Sequence, residues 1–138
     1  MNSSLKLNAE GNRLRGLIVE DNSIFREAFK KALQERLSFV VIEEAEDGEK
    51  ALEKIKEAPP DLIFVDIRLV GMNGLELVQK IKKEFSRIRI VMLTGYDFSE
   101  YRRAASKYGA DRFMVKDSLD WQEIKQFVQD IPKNRWNS

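Results

Sequence analysis

A chain of 138 residues is long enough for one domain with a substantial core. It contains no cysteine and no histidine, which excludes disulfides, thiolate zinc sites and imidazole chemistry and leaves catalysis to carboxylates, lysines, hydroxyls and a hard cation. A net charge of +1 gives no global attraction to nucleic acid or membrane, and no apolar run approaches a membrane helix, so a cytoplasmic protein binding neither is expected.

Residues 1–13 are rich in Asn and Ser and read as a flexible lead-in, with residues 132–138 as a short tail and 14–131 as the domain. Arg15 to Val19 reads as a first strand that ends in Glu20-Asp21. Two adjacent acids at the end of a buried strand repel each other unless a positive group lies between them. Asp21-Asn22-Ser23 also suits a helix cap, which accounts for one acid better than for two. Ile24, Phe25, Ala28, Phe29, Ala32 and Leu33 follow at helical spacing and are expected to face inward. Phe39 to Ile42 is a second strand, Glu43 to Asp47 an acidic link, and Gly48 opens a helix with Ala51, Leu52 and Ile55 inward.

Pro59-Pro60-Asp61 marks the turn into Leu62-Ile63-Phe64-Val65-Asp66. Four large apolar residues in a row predict a strand buried on both faces, and Asp66 sits at its carboxyl end. Gly71 and Gly74 predict a tight loop with positive φ angles, and Asn73 a helix cap. The next helix turns Leu75, Val78, Ile81 and Phe85 inward and leaves Lys80, Lys82 and Lys83 on a solvated face. Ile88 to Leu93 is a fourth strand ending in Thr94-Gly95. Phe98, Tyr101, Ala104, Ala105 and Tyr108 mark a helix that Gly109 stops. Arg112 to Val115 is a fifth strand running into Lys116, and a last helix carrying Leu119, Ile124, Phe127, Val128 and Ile131 stops before Pro132.

Strand and helix alternate five times without a hairpin signal, which predicts an α/β fold, a doubly wound parallel sheet with helices on both faces. In such a sheet all carboxyl ends of the strands lie on one edge, where ligands bind. Glu20, Asp21, Asp66, Thr94 and Lys116 therefore converge. Three carboxylates without histidine or cysteine make an all-oxygen site suited to Mg²⁺ or Mn²⁺. Thr94 and Lys116 are donors to an anion, so a phosphoryl group is the natural guest, with Asp66 as nucleophile.

From about Arg15 to Ile131 the chain resembles the receiver domains of two-component response regulators. The matching motifs are Leu-Ile-Val-Glu-Asp-Asn ending at Asn22, Leu-Ile-Phe-Val-Asp at Asp66, Gly-Met-Asn-Gly at Gly74, Val-Met-Leu-Thr-Gly at Gly95 and Phe-Met-Val-Lys at Lys116. Each is weak alone, and all five in order are highly specific. The resemblance implies a flavodoxin-like strand order 2-1-3-4-5. It further implies that Asp66 accepts a phosphoryl group from a histidine kinase or histidine phosphotransfer protein, without the chain being an enzyme toward other substrates. Asp21 and Asp66 would ligate Mg²⁺, with Glu20 acting through water and the Arg68 carbonyl adding an oxygen. Lys116 would pair with Asp66 and then with the phosphoryl oxygens. Thr94 would move toward the phosphoryl group and let Phe113 rotate inward. That would change the surface of the fourth helix, fifth strand and fifth helix, through which family members dimerise or meet their targets.

Four features depart from the family pattern. Val70 stands where proline is frequent, and Asp117 follows Lys116 where a proline, usually cis, is common. Phe113 replaces a frequent tyrosine, keeping an aromatic rotor without its hydroxyl. Arg68 and Tyr96 occupy positions that border the phosphoryl group, and their bulk is expected to limit water access and lengthen the phosphorylated lifetime. The Lys-Asp-Ser ending is similar to receivers that precede a helix-turn-helix output domain, although no output domain is expected within this chain. The alternative is a degenerate receiver that binds proteins without taking phosphate. Its mark would be a missing acid, threonine or lysine, and all are present. A haloacid-dehalogenase-like phosphatase would need an aspartate where Arg68 stands, and a flavin phosphate would be repelled by Glu20-Asp21.

Overall fold

The computed structural model describes residues 13–132. The rest of the expected lead-in and of the tail, Trp136 included, lies outside the described residues. Strands β1 (Leu14–Val19), β2 (Val40–Ala45), β3 (Leu62–Asp66), β4 (Arg89–Thr94) and β5 (Arg112–Val115) alternate with helices α1 (Ser23–Arg36), α2 (Gly48–Glu57), α3 (Gly74–Glu84), α4 (Ser99–Tyr108) and α5 (Trp121–Gln129). All strand pairs are parallel, in the order β2-β1-β3-β4-β5, as expected. No described helix is long and apolar enough to cross a membrane.

The period-2 geometry of strands divides the core into two layers. Leu14, Ile18, Leu62, Phe64, Val91 and Leu93 face α1 and α5, where they meet Phe29, Leu33, Ile124 and Val128. Leu17, Val19, Ile63, Val65, Ile90 and Met92 face α2, α3 and α4, where they meet Ala51, Ile55, Leu77, Ile81 and Ala105. Every residue of β3 is buried, because the strand lies at the centre of the sheet with a helical layer on each face.

Several sequence expectations change on contact with this packing. Ile24 is 82% exposed and Ala28 is also exposed, so the buried face of α1 narrows to Phe29 and Leu33 with Phe25 at its margin. The sheet side of α1 is shorter than its apolar stripe. β2 runs on through Glu43 and Glu44 to Ala45, because it lies at the edge of the sheet and its outward side chains need no apolar cover. In α3, Leu77 is fully buried and Leu75 only partly so. α5 ends at Gln129, and Ile131 is buried beyond its last turn.

Two lower-edge acids also prove structural. The Asp61 carboxylate, 2% exposed, accepts the Arg15 backbone N–H at 2.9 Å and so aligns the starts of β1 and β3. Lys82 does not stay on a solvated face: its ammonium donates to the Ile88 carbonyl at 2.6 Å and pairs with Asp111 at 3.2 Å, tying α3 to β4 and the start of β5.

Candidate functional site

The register sets the carboxyl edge. Val19 lies opposite Val65, Asp66 opposite Leu93 and Thr94 opposite Val115, so Glu20, Asp66, Thr94 and Lys116 leave four adjacent strands at nearly one level. Four of the five helices have polar caps: Asn22 for α1, Asp47 for α2, Asn73 for α3 and Asp120 for α5 accept backbone N–H groups of the first turn. The cap of α1 thus falls to Asn22, accepting from Phe25 N–H at 3.1 Å, and Asp21 keeps its carboxylate for the site.

One carboxylate oxygen from each of Glu20, Asp21 and Asp66 lies within 4.8 Å of the others. Glu20 and Asp66 are buried and Asp21 is exposed at the rim. An open groove of about 400 Å³ begins beside them, lined by Asp21, Asp47, Val70 and Met72 among others. Oxygen ligands alone, clustered at this spacing, are what a hard divalent cation requires.

Lys116 is the counter-charge. Its ammonium stands 2.6 Å from Glu20 Oε1 and 3.2 Å from Asp66 Oδ2, and 4.5 Å from the centre of the Phe25 ring. Glu20 Oε1 is buried and makes no well-aligned hydrogen bond, so its contact with Lys116 is a close ion pair. Its other oxygen accepts the Asn22 backbone N–H at 3.1 Å. Burial pushes the Glu20 carboxyl up to about 7, with the charge of Asp66 adding to the rise and Lys116 and the Asn22 N–H opposing it. Burial alone would lower the Lys116 ammonium, yet Glu20 and Asp66 together hold it above its ordinary value. The Lys116-Asp117 peptide is trans.

Around Asp66 the backbone is tightly arranged. The Arg68 N–H donates to Asp66 Oδ1 at 3.2 Å. Gly71 has the expected positive φ of 81°, whereas Gly74 does not: it opens α3, and its missing side chain lets the helix start against the Asp66 carbonyl. Thr94 is 1% exposed, and its hydroxyl oxygen accepts the Tyr96 N–H at 3.1 Å. Phe113 is half-buried beside the α4 layer, with the Arg102 guanidinium 4.7 Å over its ring. Arg102 is held in turn by Asp97 at 2.7 Å.

Two contributors were missed by sequence reasoning. Arg26 donates to the Glu20 carbonyl at 2.7 Å and pairs with Glu44 at 3.0 Å, so it ties the end of β1 to α1 and β2. Phe25 supplies a ring to Lys116 although its spacing signalled only core. Neither contact is marked by a pattern in the sequence: Arg26 meets Glu20 six positions away and Glu44 eighteen away, and Phe25 meets Lys116 beyond β5.

A 2-1-3-4-5 parallel sheet whose carboxyl edge joins three acids to a threonine and a lysine is the architecture of a signal receiver. The chain matches the response regulator receiver domain model over residues 17–129. It belongs to that family, the receiver domains of two-component response regulators. It is 32% identical over 128 residues to a probable transcriptional regulatory protein NarL of Mycobacterium tuberculosis, covering 93% of this chain and 59% of that one. It is 29% identical to the transcriptional regulatory protein DegU of Brevibacillus brevis over 106 residues, 77% of this chain and 45% of that one. The chain thus spans about half the length of these curated relatives. The response regulator TrrA of Thermotoga maritima, whose crystal structure is a complex with Mg²⁺ and BeF, is 38% identical with a TM-score of 0.73, covering 84% of this chain and 96% of that one.

Proposed function

We propose that this chain is a phospho-acceptor switch in which Asp66 takes a phosphoryl group from the phosphohistidine of a sensor kinase or phosphotransfer protein. The observation that carries the reading is the convergence of Glu20, Asp21 and Asp66 within 4.8 Å, with the Lys116 ammonium 3.2 Å from Asp66. The donor set, three carboxylates with no imidazole or thiolate among them, fits a hard cation. Glu20, Asp21, Asp66 and the Arg68 carbonyl would hold Mg²⁺, or Mn²⁺ in its place. When bound, the ion supplies neutralisation of the charge on the phosphoryl oxygens.

The residues of the chain do the remainder. An Asp66 oxygen forms an O–P bond as the P–N bond to the donor imidazole breaks, and the imidazole leaves as the neutral base, keeping the proton on its other nitrogen. Lys116 holds Asp66 in place and then binds a phosphoryl oxygen. Thr94 turns its hydroxyl from the β4–α4 connection to the phosphoryl group, and Phe113 moves into the space this opens. The surface of α4, β5 and α5 changes with them and meets a target or a second copy of the chain. A complete reversal of such an equilibrium requires a differential of roughly 5.5 kcal/mol. The functional unit in this reading is residues 14–131, acting in the cytoplasm without touching nucleic acid or membrane itself.

The test is intact mass after incubation with Mg²⁺ and a small acyl phosphate. One phosphoryl group added to the native chain, absent without Mg²⁺ and absent in Asp66→Asn, is the expected result. The same chain with no adduct under any of these conditions would favour the phosphate-independent binding module.

A further inference from the structure

Of the four methionines, Met92 is fully buried in β4, Met114 is buried in β5, and Met1 lies outside the described residues. Met72 differs. It is half-buried in the β3–α3 connection and lines the open groove of about 400 Å³ beside Asp21. The chain has no cysteine, so among the described residues Met72 is the one sulfur-bearing residue that is not buried.

The same side chain is a joint between two elements. Gly48 opens α2, and a Cβ there would stand 3.2 Å from Met72 Cβ, 3.2 Å from its sulfur and 3.5 Å from its Cγ. Met72 thus lies flat on the first turn of α2, on a seat that exists because residue 48 has no side chain. It also packs against the apolar layer that α2 and α3 share with the sheet. The connection that carries it leaves Asp66 and comes back to it. The Gly74 N–H donates to the Ile67 carbonyl at 2.8 Å, and Gly74 is pressed against the Asp66 carbonyl. Met72 therefore ties the loop around Asp66 to α2.

A thioether is apolar and deformable, whereas its sulfoxide is polar and has an oxygen that needs a hydrogen-bond donor. Held on Gly48 against aliphatic side chains, that oxygen is desolvated without a partner, and it regains water only by turning out into the groove. The groove walls also discriminate between oxidants. Asp21, Glu46, Asp47 and Glu49 line it together with no basic residue, so a neutral peroxide enters where an anionic oxidant is repelled.

We propose that Met72 is a peroxide-sensitive modification site, whose oxidation to the sulfoxide unseats the β3–α3 connection from α2 and weakens ligand binding at the Asp66 edge. The sulfur lone pair attacks one oxygen of hydrogen peroxide and the O–O bond breaks. After proton transfer the products are the sulfoxide and water, the sulfur oxidised by two electrons and the peroxide reduced by two. Methionine sulfoxide reductases reverse such a change. The modification itself is independent of the reading of Asp66 as the acceptor, and its effect on phosphoryl binding rests on that reading.

The full chain is treated with hydrogen peroxide in EDTA, and oxidation is located by intact mass and peptide mapping. A gain of about 16 Da, one oxygen, is expected at Met72 about tenfold faster than at Met92 or Met114. The chain oxidised at Met72 is expected to unfold at lower urea concentration and, in Mg²⁺, to bind beryllofluoride several-fold more weakly. Each chain is compared with its own untreated state. Both losses should be absent from Met72→Leu, which keeps the volume without the sulfur, and should be reversed in the native chain by a methionine sulfoxide reductase. Met72 oxidised no faster than the buried methionines, or losses as large in Met72→Leu as in the native chain, would overturn the proposal. So would a Met72 sulfoxide that leaves beryllofluoride affinity unchanged. An untreated chain that binds no beryllofluoride would strike the acceptor reading instead, and the urea midpoints would then decide for or against Met72.

Discussion

The start of α3 is pressed against the backbone of Asp66 at Gly74. A Cβ at Gly74 would lie inside van der Waals contact with the Asp66 carbonyl oxygen and only 2.9 Å from the Asp66 carbonyl carbon and from Ile67 Cα. The Gly74 N–H also donates to the Ile67 carbonyl at 2.8 Å. Gly74→Ala is expected to cost about 1–3 kcal/mol, as overpacking against rigid backbone does, and to displace the Asp66 carboxylate. Urea denaturation reads the first effect, and slowed phosphorylation by a small acyl phosphate reads the second. An alanine variant of native stability and rate would show that α3 can shift without moving Asp66.

Lys116 offsets carboxylate repulsion at a buried edge, so substitutions on the two sides of its pair should have opposite signs. Lys116→Met leaves Glu20 and Asp66 facing each other, and a loss of roughly 3 kcal/mol is expected in metal-free buffer. Asp66→Asn removes one of the repelling charges and is expected to raise stability by about 1 kcal/mol under the same conditions. Chemical denaturation of both variants in EDTA measures the signs directly.

Glu44 links the sheet to α1 through Arg26 at 3.0 Å and Lys30 at 3.0 Å. Burial works to raise its carboxyl, but Lys30 and Arg26 outweigh it and hold the group below the ordinary glutamate range. A carboxyl lowered on folding contributes stability above its unfolded pKa and loses it as pH falls through the folded one. Glu44→Gln should therefore cost about 0.5–1 kcal/mol near neutral pH, less in high salt, with native and variant chains converging as pH falls below the glutamate range. Thermal unfolding from pH 7 to pH 3 tests the sign.

Ile24 and Phe29 fall on the same apolar stripe of α1 but have different fates, 82% exposed and 3% exposed. Phe29 packs edge-on against Phe64 at 5.0 Å and beside Trp121 at 5.7 Å. Phe29→Ala is expected to cost about 3–5 kcal/mol, and Ile24→Ser to stay within about 0.5 kcal/mol of the native chain. Comparable losses in the two would mean that Ile24 is covered in solution.

The Arg68 backbone adjoins Asp66 and its guanidinium stacks on Tyr96, so if Asp66 is the acceptor, as proposed above, their bulk should slow the approach of water to its acyl phosphate. Arg68→Ala and Tyr96→Ala are each expected to speed hydrolysis several-fold, by roughly 1 kcal/mol of barrier. The check is the decay of the phosphorylated mass after removal of the phosphodonor, and rates unchanged in both variants would remove the pair from the control of lifetime.

The alternation of strand and helix, the buried character of β3 and the five strand-end polar residues were all legible in the sequence, because each is a local pattern of period, burial or punctuation. Parallel pairing then brings the strand ends to one edge without further information. The sequence could not say that Asn22 rather than Asp21 caps α1, since either side chain can accept the same N–H groups. It also could not say that Gly74 serves close contact rather than a turn, that Ile24 faces water, or that Arg26 and Phe25 complete the site. Those outcomes depend on where α1 and α3 come to rest against the sheet. The period of a helix states which residues share a face, but only packing decides how much of that face is covered and which distant partner each side chain meets.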